Sequence, residues 1–243
     1  MKKLLLLAFI AITAQTYAQE SVLLRTNYNE GDVYTASVVQ KQIIGMDGST
    51  DMTILMEMEV TDVAQDTIKT ASKITSIDMK MNQGGMVMNY NSDMDEEDLD
   101  QTGKMMKTQF DPMMEAVIYS SLDRYGNTLS TKADPALPGM DQFTSGQSSI
   151  DFPKEEVSVG SSWTTENTNQ GMNVKTTYTV TKIEDGKVYV DLNGVVSGAG
   201  TGELKGTADI DIATGATNND SEIVVTAQGM QVTVISTMEM SKQ

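Results

Sequence analysis

Apolar and polar residues alternate with a period of two along most of the chain. Met52, Ile54, Met56, Met58 and Val60 share one parity, and Thr53, Glu57, Glu59 and Thr61 take the other, with Leu55 alone out of place. The C-terminal stretch repeats the pattern, Met230, Val232, Val234, Met238 and Met240 opposing Gln231, Thr233, Thr237 and Glu239. In an extended backbone such a period gives each segment one buried and one wet face. Further strands are predicted over 22–28, 33–46, 68–81, 117–124, 174–183, 187–197 and 206–212. Turn residues separate them at Asp47-Gly48, Gln65-Asp66, Gly84-Gly85, Tyr125-Gly126-Asn127 and Asp185-Gly186, connections short enough to join antiparallel neighbours. Within 68–81 the apolar parity changes between Ile74 and Ile77, which predicts a β-bulge near Thr75.

One segment breaks the alternation. Asp93, Asp95, Glu96, Glu97, Asp98 and Asp100 precede Lys104 and Lys107, an order that complements a helix dipole, and Leu99, Met106 and Phe110 fall at helical spacings. A helix over about 94–109 follows, with Asp111-Pro112 as cap and first residue of a second short helix through Met113, Met114 and Glu115. The same acids resemble the start of a calcium loop, but the sixth position lacks its Gly and the twelfth is Lys104, so no metal site is predicted. Gly198, Gly200, Gly202 and Gly206 lie between strands with no helix N-terminus beside them, and read as flexible turn or bulge rather than a phosphate cradle. Asn218-Asn219-Asp220-Ser221 reads as a polar loop tip before the last strand. Trp163 reads as an aromatic at the edge of the core, with sugar stacking as its functional alternative.

Two stretches align without gaps at an offset of 120, Val60-Thr61 on Val180-Thr181, Val63 on Ile183, Gln65-Asp66 on Asp185-Gly186 and Ile68 on Val188. Upstream, Gly31-Asp32-Val33-Tyr34-Thr35 falls on Gly160-Ser161-Ser162-Trp163-Thr164 at an offset of 129. An internal duplication is therefore expected. The predicted organisation is one β-rich domain over 19–243, built from pseudo-repeats at about 22–92 and 150–243 and joined by a helical insert and linker at about 93–149. The fold class is mainly β: a long curved antiparallel sheet or half-barrel with one helical insert.

Composition narrows the chemistry. The 243 residues contain neither His nor Cys, which excludes His-dependent nucleophile relays, disulfides and the usual zinc ligands. No catalytic residues or cofactor can be assigned, and the carboxylate pairs of a glycosidase cannot be picked from 34 acids by sequence. The expectation is a non-enzymatic protein. Met1-Lys2-Lys3, the apolar run 4–14 and the small residue Ala18 form a signal-peptide pattern with cleavage after Ala18. Gln19 stands where a lipoprotein would carry Cys, and the apolar run is too short to span a bilayer, so export to the periplasm or outside the cell without a membrane anchor is expected. With 17 Lys and Arg against 34 Asp and Glu, the chain is repelled by nucleic acid and by anionic membranes.

The segments Leu24-Arg25, Gly31-Asp32-Val33-Tyr34, Leu122-Asp123-Arg124-Tyr125-Gly126-Asn127, Phe152-Pro153, Val159-Gly160-Ser161-Ser162-Trp163, 206–211 and Thr214-Gly215 resemble those of a family of uncharacterised exported bacterial proteins. The architecture is similar, more distantly, to that of the LolA-type periplasmic lipoprotein carriers. That likeness implies a lipid-binding half-barrel, and neither resemblance implies a catalytic residue.

The 19 Met exceed the 13 aromatics formed by four Phe, eight Tyr and one Trp. Met56/Met58, Met79/Met81, Met86/Met88 and Met238/Met240 each put two thioethers on one strand face, while Met105-Met106 and Met113-Met114 fall on the helical segment. Three readings fit: adaptable filling of an irregular core, a cavity for an apolar small molecule or lipid, and Cu(I) ligation by thioethers. The cavity reading names Met56, Met58, Met79, Met81, Met86, Met88, Met106, Phe110, Met114, Met238 and Met240 as its lining.

Overall fold

The computed structural model describes residues 20–45, 48–136, 150–169 and 171–243. The expected leader, Asp47 of the first turn and most of the linker lie outside the described residues. Twelve strands form one antiparallel sheet that does not close into a barrel. In chain order they are β1 (Val33–Ile44), β2 (Gly48–Val63), β3 (Thr67–Gln83), β4 (Met86–Asn91), β5 (Val117–Asp123), β6 (Thr128–Asp134), β7 (Ser162–Asn169), β8 (Met172–Glu184), β9 (Lys187–Gly198), β10 (Thr201–Asp211), β11 (Thr217–Ala227) and β12 (Met230–Lys242). Across the sheet the order is β6-β5-β3-β2-β1-β12-β11-β10-β9-β8-β7, with β4 alongside the far end of β3. The first strand of the N-terminal half thus pairs with the last strand of the chain, Ala36 opposite Met240 and Val38 opposite Met238.

Three extra residues keep the apolar set on one face. Leu55 pairs with Ser76 and Met56 with Ile74, so the predicted bulge leaves Thr75 as the inserted residue. Thr61 is inserted between the Val60–Thr70 and Asp62–Lys69 pairs, and Thr181 between Val180–Val190 and Lys182–Tyr189. The last two correspond at the 120 offset, and both Thr hydroxyls donate across the ladder, to the carbonyls of Lys69 (3.3 Å) and Tyr189 (3.2 Å). The turns that lead into each half also share a pattern. Gly31 donates to Val60 and Gly160 to Val180, each at 2.8 Å, while Val60 and Val180 donate back to Asp32 and Ser161 at 2.9 Å.

Gly84-Gly85 and Asp185-Gly186 form two-residue turns with positive φ at both positions, the geometry whose twist matches a hairpin. Other expectations need correction. Residues 22–28 are not a sheet strand; they cross the end of the sheet with one bridge, Val22 to Val157, because their backbone bonds go to loops. The polar run 218–221 lies inside β11, where Asp220 accepts from Thr237 at 2.6 Å and side-chain pairing replaces apolar alternation. Gly202 and Gly206 lie within β10. A Cβ there would come within 2.0 Å of the Val224 carbonyl and 2.3 Å of that of Asp220. The neighbouring backbone folds close over these positions, and only Gly permits that bend.

Instead of two helices, the described residues form a single α-helix, α1 (Gln101–Glu115), preceded by a short 3-10 turn at Glu96–Asp98. Asp100 caps it by accepting from the Gly103 amide at 2.7 Å, so the acidic run lies ahead of the helix, and Pro112 lies inside its last turn. Gly103, Met106 and Phe110 form its buried stripe over β3 and β4.

Inserting one residue after Thr75, with the bulge kept at a single extra residue, shifts the ladder by one and carries Asp78 and Lys80 toward the core in place of Ile77 and Met79. The expected cost is on the order of 5 kcal/mol or outright failure to fold, while Thr75→Ser stays within about 0.5 kcal/mol. Denaturant unfolding measures both.

Candidate functional site: a charge-free sheet face

Cross-strand pairs lie on the same face, so the register traces one face through every strand. From β3 across to β9 that face runs through Ile77, Ile54, Val38, Met238, Asn219, Ala208 and Val190, and it continues to Ala133 on β6 and Trp163 on β7. Among the described paired positions it carries a single charged residue, Lys242. Its ammonium lies 2.7 Å from Asp32, at one end of the sheet. Lys41, Asp51, Glu57, Lys73, Asp78, Lys80, Lys175, Asp191, Glu203, Lys205, Glu222 and Glu239 all fall on the opposite face.

Two elements cover parts of the uncharged face. Over the N-terminal half, α1 buries Met56, Met79, Met106, Phe110, Tyr90 and Ile77 in one cluster, with Met52, Met88, Met113 and Met114 packed around it. Tyr90 stacks on Phe110 at 5.3 Å, and its buried hydroxyl has no hydrogen-bond partner. Burial first, and Asp111 second, raises its pKa. At the Lys242 end, segments 20–28 and 150–157 bury Leu24, Phe152 and Val157 against Val180, Val188 and Ile210. Arg25 ties them together by donating to the carbonyls of Pro153 (2.8 Å) and Lys154 (2.6 Å) while its guanidinium stacks on Tyr125 at 4.3 Å. Tyr28 and Tyr34 close the middle with ring centroids 4.7 Å apart, and burial pushes the Tyr28 hydroxyl up to about 12. Trp163 stacks on Tyr178 at 5.1 Å and donates to the Asp151 carbonyl, which engages its ring and its N–H in the core.

Between these covers the face stays half-exposed, along Val38 of β1, Val232 and Val234 of β12, Ile223 and Val225 of β11 and Leu204 of β10. Sequence reasoning found the alternation of β12 and, over 206–212, the second half of β10, but missed β11 between them; Ile223, Val224 and Val225 were the available signal.

The expected Met lining is divided among four places. Met56, Met79, Met88, Met106, Phe110 and Met114 meet beneath α1, Met58 and Met240 pack beside Tyr28 and Tyr34, and Met238 faces Val38 and Asn219 on the open strip. Met81 lies opposite Met88 near the end of the sheet, and Met86, 69% exposed, stands at the β3–β4 turn. The opposite face holds a cavity of about 610 Å³ lined by Thr and acidic residues, including Asp191, Asp209, Asp220 and Glu239. Asp209 is already engaged by Lys187 at 2.8 Å and Asn218 at 3.1 Å. Among the described residues no three acidic side chains gather in a way that could hold a metal ion.

Fold and face together define an open antiparallel half-barrel with one partly covered face whose single charge among the described paired positions, Lys242, lies at its end. Residues 142–242 match the model of a family of unknown function, DUF6263. No curated protein matches the chain. Among solved structures, a chain described under "Lipid-protein interactions in lipovitellin" shares the fold, with a TM-score of 0.62 and 12% identity over 89% of this chain. The likeness spans 25% of that chain.

Met106→Ala empties a packed site beneath the helix, with an expected loss of about 2–5 kcal/mol. Met86→Ala, at an exposed turn, is expected to change stability by less than about 0.5 kcal/mol. Thermal or urea unfolding of the two variants separates a packed role from an exposed one.

Proposed function

We propose that this is an exported, non-enzymatic protein that binds an apolar ligand or an apolar envelope component on its uncharged sheet face. The observation that carries this reading is the half-buried strip of Val38, Val232, Val234, Ile223, Val225 and Leu204, apolar and without a charged neighbour on its own face. A strip of this kind removes hydrocarbon from water at roughly 25 cal/mol per Å² while desolvating no ion. The ligand's buried part is therefore uncharged, and any charged headgroup stays at the rim. A fold shared with a lipid-associated structure supports the same reading. The Met residues beneath α1 pack against one another, and their unbranched side chains suit a cover that adjusts beside the ligand.

Native mass spectrometry of the protein mixed with a diacylglycerol tests this. Wild type is expected to carry one or more bound molecules and to gain stability with concentration, whereas Val234→Asp loses occupancy while retaining a cooperative unfolding transition. A bare mass and an unchanged melting temperature across diacylglycerol, fatty acid and phosphatidylcholine would falsify the reading. Export has its own test: N-terminal sequencing of protein from the cell envelope is expected to start at Gln19, and an intact Met1 would remove it.

A further inference from the structure

The two ends of the sheet differ in chemistry. The register places the β1–β2, β3–β4, β7–β8, β9–β10 and β11–β12 turns at one end, through pairs such as Ile44–Gly48, Gln83–Met86, Met172–Gly198, Gly202–Val196 and Ala227–Met230. The β2–β3, β5–β6, β8–β9 and β10–β11 turns lie at the other. That second end is charged, with Asp32, Asp62, Asp66, Arg124, Asp185 and Lys242 on or beside its turns, and it is closed by segments 20–28 and 150–157. The first end is the reverse. Stretches 82–90, 167–174, 195–202 and 223–235 contain no charged residue in a chain with 34 acids and a net charge of −17. Asp47, the one acid in these turns by sequence, lies outside the described residues.

Three of these turns read Gln-Gly-Gly-Met, Gln-Gly-Met and Gln-Gly-Met, at 83–86, 170–172 and 228–230. Their glycines hold positive φ, 84° at Gly85, 77° at Gly171 and 80° at Gly229, which turns the chain sharply just before a Met. Met86 and Met230 are 69% and 56% exposed, and Val87 is exposed next to Met86. These large apolar side chains lie at the end of the sheet whose described turn residues carry no charge, and the open strip of Val232 and Val225 runs directly into it.

We propose that this end is a docking rim for the surface of an electrically neutral lipid bilayer, its exposed Met and Val side chains entering the headgroup layer. Three observations select that occupant. The rim has no cations to attract an anionic bilayer, and the net charge of the chain opposes one. Long, unbranched thioethers adapt to a surface without fixed shape. The rim is continuous with the uncharged face, and the other end is closed, so among the described residues a molecule passing between bilayer and face meets no charged side chain. That passage rests on the ligand reading above; the docking itself does not.

Flotation with vesicles of pure phosphatidylcholine tests the rim. Wild type is expected to float with the vesicles equally at low and high salt, and less with vesicles containing phosphatidylglycerol. Adding two charges at exposed turns, Met86→Glu with Met230→Glu, is expected to lower vesicle binding about tenfold or more. The same variant should keep the unfolding midpoint and the diacylglycerol occupancy measured without vesicles. Failure of wild type to float, binding unchanged in the double variant, or binding that requires anionic lipid and disappears with salt would each overturn the docking rim. Self-association that the double variant abolishes, without vesicle binding, would assign the rim to a second copy and overturn the proposal too. Vesicle binding in a protein that takes up no diacylglycerol would leave the rim standing and remove the ligand reading, so the two fail separately.

Discussion

Everything in this structure depends on keeping charge off one face of a very long sheet. A chain with 34 acids and 17 bases cannot present those groups to a core, because an unpaired charge in an apolar interior costs several kcal/mol. Period-two alternation solves this only while register holds, and β3, at 17 residues, is long enough for twist to defeat it. The inserted Thr61, Thr75 and Thr181 reset parity where the sheet bends, so Ile77 and Met79 continue the face that Ile74 began. Regular pairing with Thr75 retained, Thr75 opposite Leu55, would bring Asp78 and Lys80 inward together.

The same constraint fixes the ends. Charges that cannot enter the face collect on the opposite side and at the closed end, where Asp32 meets Lys242 and Arg25 meets the carbonyls of 153 and 154. The short sequence motifs that resemble an exported bacterial family converge there. Leu24-Arg25, the turns at Gly31 and Gly160, the 122–127 turn, Phe152-Pro153 and Thr214-Gly215 hold one another through Thr26 to Arg124, Asn27 to Thr214 and Phe152 to Tyr125 backbone bonds. Their role is to join the two halves, through β1 and β12, into one sheet. Function is therefore better sought away from these motifs, along the strip they leave open.

Much of this was legible in the sequence, and the exceptions have physical causes. Met52 to Val60 and Met230 to Met240 showed their faces by parity, the Ile74–Ile77 slip located the bulge at Thr75, and Asp185-Gly186 gave its turn. β11 was hidden because Asn218 to Ser221 pair through side chains rather than through apolar alternation. Pro112 suggested a helix start but lies inside the last turn of α1, which continues unbroken from Asp100. For the site, parity could say which Met side chains share a face but not how far along each strand they lie. That distance decides whether a Met falls beneath α1, beside Tyr34 or at the rim.

The division of residue types along the face follows from what each region must do. The open strip is mainly β-branched, Val38, Val232, Val234, Ile223 and Val225, and such side chains hold one rotamer on a pleated surface without a partner to pin them. A strip of Met would lose more rotamer freedom on binding and would collapse more readily when empty. Methionine instead fills the interface between sheet and helix, where Met56, Met79 and Met106 contact Phe110 and Tyr90. It also lines the turns, where no fixed shape is needed. The stiff residues thus hold the shape of the uncovered strip and the soft ones fill its borders, the arrangement that the proposed reversible apolar site requires.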